Sequence, residues 1–172
     1  MQAHPVSEVT MRRHSIRFPI LFALMAVLAL LFAAPAQAVA AKFHSVSSSV
    51  TSTGALSVSF DERGLGNGNI DYTLSADASA VYACINGGGK NPSAANKRTV
   101  NGDVSAAGSF ESKNGRVSAT LTAGPIGAGG FACPSGQRLV LASVSYTNIV
   151  LTDTTNGTVA NVPNTSRTFF TV

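Results

Sequence analysis

Tryptophan is absent from the 172 residues, only two cysteines are present, and Asp, Glu, Lys and Arg together make up just 12%. Each scarcity narrows the function classes. Two isolated cysteines with His44, the one histidine after residue 38, do not supply the four ligands of a usual zinc site. No glycine-flanked serine stands on a strand-to-helix elbow, and His44 has no neighbouring nucleophile, so the sequence predicts no catalytic set. No window beyond residue 38 shows helical spacing with caps. Acidic residues are missing between Asp77 and Asp103 and again between Glu111 and Asp153.

What is present at the start reads as an export signal. Arg12, Arg13 and Arg17 precede an apolar run from Ile20 to Ala34, followed by Ala36-Gln37-Ala38. A signal peptide has this order, with an apolar stretch of roughly 7 to 15 residues and small residues before the cut. Cleavage is expected after Ala38, and residues 1–10 add nothing to this pattern, so they read as an upstream extension with Met11 as the true start. A membrane-spanning helix needs about 20 apolar residues. The run here is shorter and is bounded by Pro19 and Pro35. The leucine-rich stretch favours the general secretory route over a twin-arginine one, and no cysteine follows the cut to carry a lipid. Residues 39–172 are then one domain, secreted and free of the membrane. The formal charge of +4 includes the three leader arginines, so the exported part carries too small a cationic excess to indicate nucleic acid.

Cys84 and Cys133 both fall in the exported part, where an even count suggests a disulfide. The loop closed spans about 50 residues, worth on the order of 4 kcal/mol in the chain-entropy account.

Period-two alternation dominates the rest. Ile70, Tyr72, Leu74, Ala76, Ala78, Ala80, Tyr82 and Cys84 share one face of a strand, against Asp71, Thr73, Ser75, Asp77 and Ser79 on the other. Leu56, Val58 and Phe60 repeat the pattern. Five Asn-Gly dipeptides, beginning at Asn67, Asn86, Asn101, Asn114 and Asn156, predict hairpin turns. A hairpin on Asn114-Gly115 would set Phe110 opposite Ala119, Gly108 opposite Leu121 and Ala106 opposite Ala123, so that the apolar faces coincide. In Arg138 to Asp153 the alternation changes phase, which predicts a bulge near Thr147-Asn148. Ser45 to Gly54 reads as an edge strand or lead-in, and RTFFTV as a closing strand. The expected fold is all-β, an antiparallel β-sandwich of 7 to 9 strands with one disulfide.

Two cysteines about 50 residues apart, with Tyr82 two positions before Cys84, resemble the immunoglobulin pattern. There the tyrosine precedes the second cysteine and a tryptophan fills the core, so the resemblance implies only architecture, Ig-like or a related Greek key.

The stretch CINGGGKNPSAANKR, Cys84 to Arg98, fails as a phosphate-binding P-loop. Cys84 stands where the first glycine belongs and Asn91 where Ser or Thr should follow the lysine. A bond from Cys84 to Cys133 would instead join this loop to a second one, GPIGAGGFACPSGQR, at one end of the sandwich. Lys90, Asn91, Asn96, Lys97, Arg98 and Arg138 lie in or beside the two loops and are the candidate binding residues, on an end predicted to be positive. Asp61, Glu62 and Asp71 flank the Asn67-Gly68 turn and are expected to be solvated. Their spacing matches no EF-hand, and a hairpin end offers no glycosidase cleft. Tyr72, Tyr82, Tyr146 and Phe60 fall on core faces, which leaves no aromatic platform for stacking sugars. Asn156-Gly157-Thr158 and Asn164-Thr165-Ser166 fit the glycosylation sequon.

The resulting expectation is a non-catalytic binding or structural module without metal or cofactor, meeting an extracellular, cell-surface or glycan partner. The alternatives are a small extracellular hydrolase, which needs Asp61, Glu62, Asp71 or His44 to converge, and a protease inhibitor acting through the Gly-rich loop.

Overall fold

Alternating apolar and polar residues build eight strands in the computed structural model, which describes residues 40–86 and 96–172. They are β1 Lys42–Val50, β2 Leu56–Arg63, β3 Gly68–Asn86, β4 Lys97–Ser112, β5 Arg116–Ala123, β6 Gln137–Asp153, β7 Thr158–Val162 and β8 Thr165–Thr168. Every pairing is antiparallel, in two sheets. One runs β1-β2-β5; the other runs β4-β3-β6-β7, with β8 also paired to β6. No α-helix occurs among the described residues, and none there is long and apolar enough to cross a membrane. The export signal lies outside the described residues.

The inward faces of the two sheets close on one core. Leu56, Val58 and Phe60 of β2 meet Tyr72, Leu74 and Ala76 of β3 and Tyr146, Ile149 and Leu151 of β6, all buried. Burying a large apolar side chain is worth about 1.5 to 3 kcal/mol, and this shared layer holds the sheets face to face. Phe43, Phe60, Tyr72 and Phe110 pack as one aromatic cluster, with ring centroids of Phe60 and Tyr72 4.6 Å apart. Tyr82 is only half-buried, and its hydroxyl reaches out of the core.

Three of the expected hairpins form differently. Asn114-Gly115 is a two-residue turn with both φ angles positive (54° and 72°), closed by two hydrogen bonds between Lys113 and Arg116. Beyond that single bridge the strands part, β4 pairing with β3 and β5 with β2. Gly108 and Leu121 therefore face one another across the core rather than along a ladder, and a Cβ on Gly108 would meet Leu121 Cδ2 at 2.7 Å. Asn67-Gly68 likewise carries the chain from one sheet to the other. Asn101-Gly102 is no turn: both residues lie in β4, opposite Ser79 and Ala78, and a Cβ on Gly102 would meet Ile126 at 2.8 Å. That glycine serves close packing, not reversal. Asn86-Gly87 runs out of the described residues. Asn156-Gly157 turns between β6 and β7 as expected.

The bulge is where the phase change placed it. Ser75 pairs with Val150 but Asp77 with Thr147, and Asn148 takes the left-handed conformation (φ 49°) while its amide donates to Asp77 at 2.6 Å. The closing strand ends earlier than RTFFTV suggests, at Thr168, after which the N–H groups of Phe169 and Phe170 both donate to the carbonyl of Ala142.

Candidate functional site

β3 extends past the core and ends at Asn86, flanked by the first residues of β4 on one side and of β6 on the other. Cys84, buried at this end, is bonded to Cys133, with Cα atoms 5.5 Å apart. The bond anchors the 124–136 segment that returns from β5 to β6. Three further hydrogen bonds shape it: the Tyr82 hydroxyl donates to Ile126 O at 2.5 Å, and turns close from Phe131 N to Ala128 O and from Gln137 N to Pro134 O. Burial pushes the Tyr82 phenol above its ordinary range, so it stays a donor.

Lys97 pairs across from Ala83, Arg98 from Tyr82, and Arg138 from Ile85. Directly opposed residues in an antiparallel ladder share a face. Lys97 and Arg138 thus stand on the same face, one on each side of β3, and Arg98 stands on the other. All three side chains are exposed. Asn96 donates its side-chain amide to Gln137 Oε1 at 3.3 Å, linking the starts of β4 and β6 across the end of β3. Lys97 Nζ lies 3.4 Å from Val172 O. Leu139, opposite Cys84, is exposed at 41% and adds an apolar element to the same rim. The salt bridges among the described residues involve Arg63, Lys113 and Arg116, none of them at this rim. Lys90 and Asn91 lie outside the described residues.

Gln137 and Leu139 are rim residues that sequence reasoning passed over. Their signal was available, since both follow Cys133 closely and open the strand that pairs beside Cys84.

Of the acids near Asn67-Gly68, Asp71 is exposed as expected, but Asp61 and Glu62 are not solvated. Asp61 and Glu62 are neighbours on β2 and so point to opposite faces. Asp61 points outward and is largely covered by Arg63 and Arg116; Arg63 Nε donates to Oδ1 at 2.9 Å and Arg116 Nε to Oδ2 at 2.5 Å. Desolvation works to raise its pKa, but the two guanidinium hydrogen bonds and charges outweigh it and hold the carboxyl below its ordinary value. Glu62, in phase with Val58 and Phe60, is fully buried. Tyr72 Oη donates to its Oε2 at 2.8 Å, and Oε1 has no partner. Burial raises its pKa; the Tyr72 hydrogen bond opposes this and the charge of Asp153 adds to it. Asp153 is also buried, accepting from the backbone N–H groups of Thr155 and Asn156 and from the Asn156 side chain. That pattern is a turn capped by a carboxylate.

Asp71 stands on the outer face of the other sheet, and His44 is exposed on β1 at a bulge. Glu62 lies in the core, Asp61 and the bulge residue His44 lie across the β1–β2 pair, and Asp71 is on the other sheet, so the four do not converge on one site. No group of three or more His, Cys, Asp or Glu suited to a metal ion occurs among the described residues. Comparison of the chain with protein-family models, with curated proteins and with solved structures finds no match.

Proposed function

We propose that the chain is exported, cut after Ala38, and works outside the cell as a single-domain, non-catalytic binding or structural module. In this reading the sandwich is Ig-like or a related Greek key, supported by the passage of β2 to β3, β4 to β5 and β5 to β6 between the two sheets. The partner is an extracellular, cell-surface or glycan surface with acidic or hydrogen-bonding groups. The observation that carries the proposal is the rim: Lys97, Arg98 and Arg138 are exposed around the disulfide-anchored end of β3 and unpaired with any acid among the described residues. Asn96 and Gln137 add amide groups beside them. A rigid strand end beside a braced loop holds such groups in place at low entropic cost on binding.

The test is binding of the purified protein to cell-wall and acidic glycan preparations, with Lys97 and Arg98 both changed to Ala. The expected result is at least a tenfold loss that deepens with salt. Undiminished binding would remove the rim from the account. N-terminal sequencing of exported material should begin at Val39.

A second reading is favoured by the bracing of the 124–136 segment through Cys133 and Tyr82. A loop held at several points and open to solvent suits inhibition of an extracellular protease. Assays against a protease panel decide it, since no inhibition at micromolar protein would end this reading.

A further inference from the structure

Two sheets have four outer edges, and those of β1 and of β7–β8 close on one another. β1 carries a bulge at Phe43/Ser45, and its flank is closed by the β7–β8 segment through Ser48 Oγ to Pro163 O at 2.5 Å, Thr158 Oγ1 to Ala41 O at 3.4 Å and Arg167 to Val50 O at 3.2 Å. Those bonds guard β7 and β8 as well. β5 is only 8 residues long. β4 is different: 16 residues, no proline, and an unbroken register with β3 from Lys97↔Ala83 to Ser112↔Gly68. Its other flank makes no backbone hydrogen bond among the described residues until Lys113 at the turn. Proteins blunt open edges with bulges, prolines, short strands or covering segments, because unpaired N–H and C=O groups template further pairing. Among the described residues β4 has no bulge, proline or covering backbone, and its blunting devices are the charges of Lys97, Arg98, Asp103 and Glu111.

We infer that the open edge of β4 is covered by the β4 strand of a second copy of this chain, joining two β4-β3-β6-β7 sheets into one continuous antiparallel sheet about a two-fold axis at Val104. Charge order selects both the occupant and the register. Lys97 and Glu111 lie at opposite ends of the strand on one exposed face, with Asp103 between them. With the axis at Val104, Lys97 meets Glu111 of the second copy, Thr99 meets Ser109, and Asp103 meets Ser105. Moving the axis one residue toward the start sets Asp103 against Asp103. Moving it one residue the other way sets Lys97 against Lys113. Like charges directly opposed are destabilising, and opposite charges contribute roughly 0.2 to 1 kcal/mol per pair. The two-fold repeats the favourable pair twice. An isologous contact of this kind closes on itself and stops at two copies.

Sedimentation velocity of the purified protein should show a dimer. Lys97→Glu and Glu111→Lys should each weaken it about tenfold, and the two together in one chain should restore it. These side chains are exposed, so thermal melts taken at concentrations too low for dimer formation should match the wild type. Lys97 also belongs to the proposed rim, so a second arm uses residues away from it. A mixture of Asp103→Cys and Ser105→Cys chains, oxidised, should give a covalent dimer containing one of each. A protein that stays monomeric up to high micromolar concentration overturns the inference. Crosslinking of Asp103→Cys chains alone, or of Ser105→Cys chains alone, overturns the register.

Discussion

Glu62 shows how much one carboxyl inside the core can govern. Its folded pKa is raised, so the folded chain holds this proton more tightly than the unfolded chain. Its contribution to stability is complete below the ordinary glutamate value of about 4.3 and is lost as pH rises through the raised folded value. Asp61 acts in the opposite sense, its contribution being present above the ordinary aspartate range and lost as pH falls through its lowered value. Urea denaturation across pH should show stability declining above about pH 4.3 in the wild type, with that part of the decline missing in Glu62→Gln. Gln keeps an acceptor for Tyr72 and removes the charge, so the variant should gain on the order of 1 kcal/mol at neutral pH. Tyr146→Phe tests a satisfied partner in the same way. Its hydroxyl donates to Gly54 O at 2.7 Å in the core, and its loss should cost about 1 to 3 kcal/mol in the same experiment.

At the level of elements, the turns decide which sheet each strand joins. Gly115 has φ 72°, and a Cβ there would come within 3.0 Å of Leu65 O. Gly115→Ala should therefore lower the thermal midpoint by several degrees, a loss of about 1 to 2 kcal/mol. The existence of the strands was legible in the sequence, because parity alone separates Ile70 through Cys84 from their polar neighbours. The bulge at Asn148 was legible too, as a break in that parity. Which strands pair was not. Coincident apolar faces on β4 and β5 satisfy the register equally well side by side or across a core, and a two-residue turn permits either. Asn-Gly likewise allows a reversal without requiring one, and at Asn101-Gly102 a long ladder with β3 prevails while the glycine admits Ile126. The buried state of Glu62 was readable from its phase with Phe60, but an acid next to a turn normally resolves toward water, and the Tyr72 hydroxyl on the opposing sheet is the main partner that makes burial tolerable.

For the molecule as a whole, the disulfide links β3 to the segment entering β6 and braces it beside the cations that the β3 ladders place. Cys84 and Cys133 are 49 positions apart. Replacing both with Ala should cost about 4 kcal/mol by chain entropy, with the two sheets still formed around their shared core. The variant should keep its far-UV spectrum and lose affinity at the rim, because the 124–136 segment would no longer be held against β3. Of the candidate site, the sequence made visible the cysteine pair and the absence of acids around it; the placement of Lys97 and Arg138 on one face depended on long-range pairing that no local pattern encodes.

The central claim is the proposal that an exported chain carries the Cys84–Cys133 bond, which braces the 124–136 segment beside the cationic end of β3. Peptide mapping of the protein collected from outside the cell, without reduction, tests it most directly. The account predicts a chain starting at Val39 and a single crosslinked peptide pair containing Cys84 and Cys133. Free thiols at both positions, or retention of residues 1–38 in the collected protein, would contradict it.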